Sequence, residues 1–201
     1  MKTFQSICGG LLLLLFVQYG LAQHKTRIKI NNAYGLFYSF VDFQHGKITY
    51  PMDCENSEDE LKLNDWFGSS RGFVWSNGER HLFDKNQIYG YRDSKKENHR
   101  FFRGEEYKIL DTAGIFLYYK YTQKEVTKGK SLIKTDEYYF SVQGDGPICL
   151  LTSQNLRMSF SNNYRFQYAL DAGFKSDGEL IAYDDIQKIY KIEYLYNQSL
   201  K

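Results

Sequence analysis

The stretch QIYGYRDSKKENHRFFR, Gln87–Arg103, decides how this chain is read. It sets Tyr89, Tyr91, Phe101 and Phe102 among Arg92, Lys95, Lys96, His99, Arg100 and Arg103. Rings that stack on bases, with cations that meet phosphates, would have this composition. So would two strands joined by a turn. Ile88–Asp93 and Asn98–Arg103 flank Ser94-Lys95-Lys96-Glu97, which is turn-like in composition. The charges alternate in sign, Arg92 with Asp93, Lys96 with Glu97 and Arg103 with Glu105. That describes a solvated sheet face better than a phosphate track, so the stretch is read as a β-hairpin.

The pattern continues on both sides. Gly72-Phe73-Val74-Trp75 and His81-Leu82-Phe83 flank Ser76-Asn77-Gly78-Glu79. An Asn-Gly pair between two such runs is a strong hairpin signal, because both central residues of the tight turn need φ > 0. Gly104 separates the first hairpin from Glu106–Leu110, and Thr112-Ala113-Gly114 turns the chain into Ile115–Tyr121. A polar loop through Lys128-Gly129-Lys130 leads to Glu137–Val142, and Gly144-Asp145-Gly146-Pro147 leads to Ile148–Leu151. These short runs predict an antiparallel β-meander, as a sandwich or a partly open barrel. Upstream, Ile28, Ile30 and Ala33–Tyr38 predict an opening strand, which Phe40–Phe43 either continues or ends in a helical turn before His45-Gly46. Asp53–Glu60 is an acidic loop by composition.

After Leu151 the pattern becomes helical. Thr152 is placed to cap a helix carrying Leu156 and Phe160. Asn163 is placed to cap another with Phe166, Ala169 and Leu170, ending at Gly173. Ser176-Asp177-Gly178-Glu179 has the S-x-x-E spacing of a capping box. Asp184 or Asp185 would start a last helix with Ile186, Ile189, Ile192 and Leu195 buried. A strand is the alternative, since Tyr190, Ile192 and Tyr194 alternate. Strands first and short helices last define an α+β fold, with 23–151 mainly β and 152–201 helical.

Lys2, the apolar run Gly9–Val17 and Gly20-Leu21-Ala22 form a signal-peptide pattern, with residues 1–22 removed after Ala22. Neither that run nor any later one is long enough to span a bilayer. The expected product is exported to the periplasm, cell surface or medium as one domain, 23–201, of roughly 180 residues. Loss of Lys2 takes the 26 basic residues to 25, against 24 acidic. A near-neutral exported chain is a poor fit to nucleic acid, so no nucleic-acid partner is expected. Cys54 and Cys149 remain after export, and an oxidising compartment permits a disulfide between them without requiring one. Tyr and Phe are abundant, at 18 and 15 residues, as strands favour.

QIYGYRD, FFRGEEYKIL, GIFLYYKY and YYFSVQGDGPICLLTSQNL, followed by the short helices, resemble a group of uncharacterised exported proteins of Bacteroidetes. The resemblance covers Gln87 to the C-terminus. It implies a bacterial envelope or secreted setting and carries no activity and no site residue with it.

The search for chemistry returns little. His24, His45, His81 and His99 form no metal-site spacing, and His81 and His99 read as ordinary sheet residues. No cofactor or metal site is expected, and no G-x-S-x-G is present. Cys149 has apolar neighbours and reads as core, while acids surround Cys54. Glu105 and Glu106 fall on opposite faces of a strand, and Asp184 and Asp185 read as helix-start residues. What remains is the Trp66-Phe67 pair, flanked by Asn64-Asp65 and Gly68-Ser69-Ser70. Rings on such a loop are the candidate ligand-binding residues, and the alternative is that Trp66 plugs the core. The chain is therefore read as a non-enzymatic envelope or secreted module that binds a glycan, peptide or partner protein. A hydrolase whose site is assembled from distant residues is the alternative.

Overall fold

The computed structural model describes residues 34–52, 59–63, 69–76, 78–125 and 132–201. The chain runs β1 (Tyr34–Phe37), α1 (Phe40–His45), β2 (Pro51–Met52), β3 (Glu60–Lys62), β4 (Arg71–Ser76), β5 (Glu79–Asp84), β6 (Gly90–Arg92), β7 (Asn98–Phe102), β8 (Glu105–Asp111), β9 (Phe116–Glu125), β10 (Leu132–Ser141), β11 (Cys149–Leu150), α2 (Ser153–Ser159), α3 (Tyr164–Gly173), β12 (Tyr183–Asp184), β13 (Ile189–Tyr190) and α4 (Lys191–Ser199). The fold is α+β and mostly antiparallel. Eight strands form one open sheet in the order β11-β10-β9-β8-β7-β6-β1-β2, of which β6 to β11 are the expected meander. β3, β4 and β5 form a second sheet, and β12 and β13 a two-stranded ribbon. Among the described residues no helix is long and apolar enough to cross a membrane.

Local chemistry explains the turns. Ser76 pairs with Glu79 across the Asn-Gly turn, with Gly78 at φ +79, while Asn77 lies outside the described residues. Arg103 and Gly104 are consecutive left-handed residues, at φ +54 and +77, and join β7 tightly to β8. Thr152 Oγ1 accepts the Asn155 N–H at 3.1 Å, and Asn163 Oδ1 accepts the Phe166 N–H at 3.0 Å, so both predicted caps form. Of the two readings of Phe40–Phe43 the helical turn holds, because Ser39 and Asp42 make a capping box.

Register sorts the side chains of the large sheet. Tyr91 lies opposite His99, His99 opposite Lys108, Phe101 opposite Glu106, Lys108 opposite Tyr119, and Tyr119 opposite Tyr138. All of these share one face. At one end of that face the small sheet closes a core of Leu36, Met52, Val74, Phe83, Ile88, Tyr91 and Phe101. At the other end the helices bury Leu117 and Phe140 together with Leu156, Phe166, Leu170 and Ile192. Phe37, Phe43 and Tyr89 form a third cluster with Ile109 and Phe116 beneath α1. Each fully buried side chain of this kind contributes about 1.5–3 kcal/mol.

Several expectations are corrected. The cations of the opening hairpin are not all solvated, because Arg92 and Arg100 are buried. Both point to the face opposite Tyr91 and His99. There Arg92 lies over Phe37 and donates from Nε to Asn98 Oδ1 at 2.9 Å. Arg100 donates to Tyr118 Oη at 2.8 Å and to the Gly146 carbonyl at 2.6 Å. Asp184 and Asp185 do not start a helix. Asp184 Oδ1 accepts the N–H groups of Ile186 and Gln187, at 2.8 and 2.9 Å, and turns the chain into β13. Ile186 at that turn is 94 % exposed, and the helix starts only at Lys191. Turn chemistry at Asp184 thus overrides the three-residue apolar spacing. Ser176 makes no side-chain cap. Glu179 instead accepts the Lys175 N–H at 2.8 Å, around a single 3₁₀ turn. Glu60, read as loop, opens β3 by pairing with Trp75.

Candidate functional site

A groove of about 510 Å³ runs over β7, β8 and β9 beside the small sheet. Its lining includes His99, Glu106, Lys108, Tyr119 and Tyr121, with Lys85 contributed by the segment after β5. Strand alternation brings His99, Glu106, Lys108 and Tyr119 to this one face, between the two flanking cores. The sheet is polar where neither the small sheet nor the helices close a core over it.

His99 is the centre of the polar cluster. Its ring stacks on Tyr91 at 4.5 Å between centroids and 7° between planes. Nδ1 lies 2.9 Å from Glu106 Oε1, and Nε2 lies 3.5 Å from Asp93 Oδ2. Both nitrogens are closed to solvent, yet neither approach is aligned as a hydrogen bond. Burial alone would raise the Glu106 carboxyl. The His99 ring beside it, the Tyr91 hydroxyl and the positive charge of Lys85 outweigh it and hold Glu106 below the usual carboxylate range. Tyr91 Oη donates to Glu106 Oε1 at 2.7 Å. Lys85 itself is only 4 % exposed, an uncommon place for an ammonium group.

The other charges are also engaged. Lys108 Nζ meets Glu97 Oε1 at 2.6 Å, and this contact lowers the Glu97 carboxyl. Lys120 Nζ meets Glu105 Oε2 at 2.7 Å. Glu105 and Glu106 therefore serve different partners on opposite faces, as strand alternation predicts. Tyr119 Oη donates to Asp136 Oδ1 at 2.8 Å, which pushes the phenol up to about 12. Tyr121, two residues on, is exposed. The groove thus offers a fixed set of donors and acceptors, two tyrosine rings from one strand, and a carboxylate that stays ionised. Such a carboxylate can accept a hydrogen bond or bind a cation, but it is a weak proton donor.

Trp66 and Phe67, the rings singled out in the sequence, lie outside the described residues. So do Cys54 and the 1–22 leader. Cys149 packs half-buried against the helical core, as its apolar neighbours suggested. His81 is the sheet residue it was read to be, stacked on Tyr50 at 4.2 Å. His99 is also in a strand, but its surroundings are not ordinary. The available signal was its place two residues after Glu97, across a turn from Asp93 and level with Tyr91. Only the register of β6, β7 and β8 adds Glu106 and Lys108 to it. No protein-family profile, curated protein or solved structure matches the chain, so any function must be argued from this geometry.

Proposed function

We propose that the protein is an exported, non-enzymatic module that binds a glycan in the groove over β7–β9. The observation that carries this reading is the pairing of Tyr119 and Tyr121 on one strand face with side chains whose polar ends are already held in place. Tyrosine offers a sugar both a ring and a hydroxyl, and pinned donors and acceptors lose little entropy when a ligand arrives. The same pinning speaks against the hydrolase alternative. Lys108, Lys120 and Tyr119 are each occupied by a carboxylate, and Glu106 is held ionised. Export follows from the leader pattern of residues 1–22, and N-terminal sequencing of the secreted chain should return Gln23.

The test is a glycan panel followed by calorimetry on the best ligand. Tyr121→Ala removes an exposed ring, so its melting temperature should match the wild type while affinity falls tenfold or more. A wild type that binds no glycan, or a Tyr121→Ala variant that binds as well, rejects the reading. Hydrolysis of a panel glycoside that is lost in His99→Ala would instead establish the hydrolase.

A further inference from the structure

The tip of the β6–β7 hairpin holds three metal-ligand types in one place. Asp93, Glu97 and His99 each present a ligand atom, and these atoms all lie within 4.8 Å of one another. We propose that they bind a single divalent cation of the zinc class. The separation of His99 Nε2 and Asp93 Oδ2, 3.5 Å, suits two ligands of one ion. Tetrahedral zinc with bonds of about 2.0–2.1 Å sets neighbouring ligand atoms roughly 3.3 Å apart. The hairpin fixes Asp93 for this role, because its Oδ1 accepts the Glu97 N–H at 2.7 Å and Oδ2 is the oxygen facing His99.

A second and independent observation comes from the other side of the ring. A histidine that ligates zinc through one nitrogen usually has a carboxylate or carbonyl on the other, which sets the tautomer and the ring plane. Glu106 stands there, 2.9 Å from Nδ1 and off the axis of a hydrogen bond, so that a small ring rotation completes the contact. Glu106 is partly buried and is held from two sides. It belongs to a different strand and takes the Tyr91 hydroxyl at 2.7 Å. Tyr91 also stacks flat on the imidazole, so the same residue orients both the ring and its outer partner. A cation on Nε2 would also satisfy a buried nitrogen that has no aligned hydrogen bond.

Chemistry selects the class of ion. One imidazole nitrogen with two carboxylates fits zinc or a neighbouring transition metal, whereas calcium takes six to eight oxygen ligands. Water would complete the shell. Lys108 is the competitor, since its ammonium already meets Glu97 at 2.6 Å. This site adjoins the groove but does not depend on the glycan reading, and its test uses metal alone.

Tag-free protein, stripped with chelator, is titrated with Zn²⁺ by calorimetry and with Co²⁺ by visible absorption. The expected result is one equivalent, with cobalt bands of a nitrogen–oxygen site. His99→Ala should weaken binding at least a hundredfold, and Glu106→Gln should weaken it about 10–100-fold through the outer shell. Lys108→Gln should tighten it, and His81→Ala should leave it unchanged. Circular dichroism checks that each variant folds. If His99→Ala does not fold, Asp93→Asn and Glu97→Gln at the turn take its place with the same expected weakening. A wild type that takes up less than one equivalent overturns the proposal. So does a folded His99→Ala, or a folded Asp93→Asn, that binds as tightly as the wild type.

Discussion

Ser39 and Asp42 close the first turn of α1 on each other. Ser39 Oγ accepts the Asp42 N–H at 3.1 Å, and Asp42 Oδ2 accepts the Ser39 N–H at 3.1 Å. The hydrogen bonds from Ser39, aided by Lys47, hold the Asp42 carboxyl below its ordinary 3.8. A carboxyl with a depressed folded pKa stabilises fully above its unfolded value, and that contribution disappears as pH falls through the folded value. Asp42→Asn should therefore be less stable than wild type at neutral pH, and the two should converge as pH drops below 3.8. Urea melts across that range measure it, and a gap that stays constant would show that the carboxylate charge plays no part. The sequence left Phe40–Phe43 open between a continued strand and a helical turn, and only the folded backbone brings Ser39 and Asp42 together to decide it. The burial of Arg92 and Arg100 was not legible either. Charge alternation says which residues share a face, but only the third dimension says which face Phe37, α1 and the Gly144–Gly146 turn will cover.

At the scale of elements, the C-terminal region separates two isoleucines that three-residue apolar spacing puts on one helix. Ile192 is fully buried in α4, whereas Ile186 projects from the β12–β13 turn at 94 % exposure. Ile192→Ala should cost about 2–5 kcal/mol, and Ile186→Ala should stay within about 0.5 kcal/mol. Equal costs in thermal or urea unfolding would mean that the Asp184 turn does not form. The strands were legible where turn residues punctuate them, as at Gly78 and Gly104. Their lengths were not. β9 and β10 each run for ten residues, well past the apolar runs Ile115–Tyr121 and Glu137–Val142. Cross-strand backbone pairing continues through polar residues such as Thr122 and Thr135, and nothing in their hydrophobicity announces it. The full His99 cluster was not legible for a related reason. Its members come from Asp93, Glu97 and Glu106, and a register shift of one residue would send Glu106 to the other face.

For the molecule as a whole, the two apolar clusters on one face leave the polar groove between them, and the third cluster seals the opposite side. The α+β order, strands before helices, was readable because turn and cap chemistry changes at Thr152. The arrangement of the three clusters was not, since it depends on how the small sheet and the helices divide one face. On the sealed side, the turn after β10 is held by side chains from distant parts of the chain. Tyr89 Oη donates to the Gly144 carbonyl at 3.0 Å, 55 positions away, and Arg100 donates to the Gly146 carbonyl, 46 positions away. Ser141 Oγ donates to the nearby Gln143 carbonyl at 2.7 Å. These locks have a consequence in time. The meander grows by short-range steps, each strand folding onto its neighbour, whereas the Tyr89 bond requires a long loop to have closed first. It should form after the folding barrier has been crossed. Tyr89→Phe removes the hydroxyl, and with it the bond to the Gly144 carbonyl and the contact with the Tyr118 hydroxyl, a loss of about 1–3 kcal/mol. Stopped-flow kinetics should show an unchanged refolding rate and unfolding faster by roughly fivefold for each kcal/mol lost. A refolding rate that falls instead would place the turn in the nucleus. With the bond formed late, Tyr89 sets how long the native state lasts once made, and the meander sets how fast it is reached.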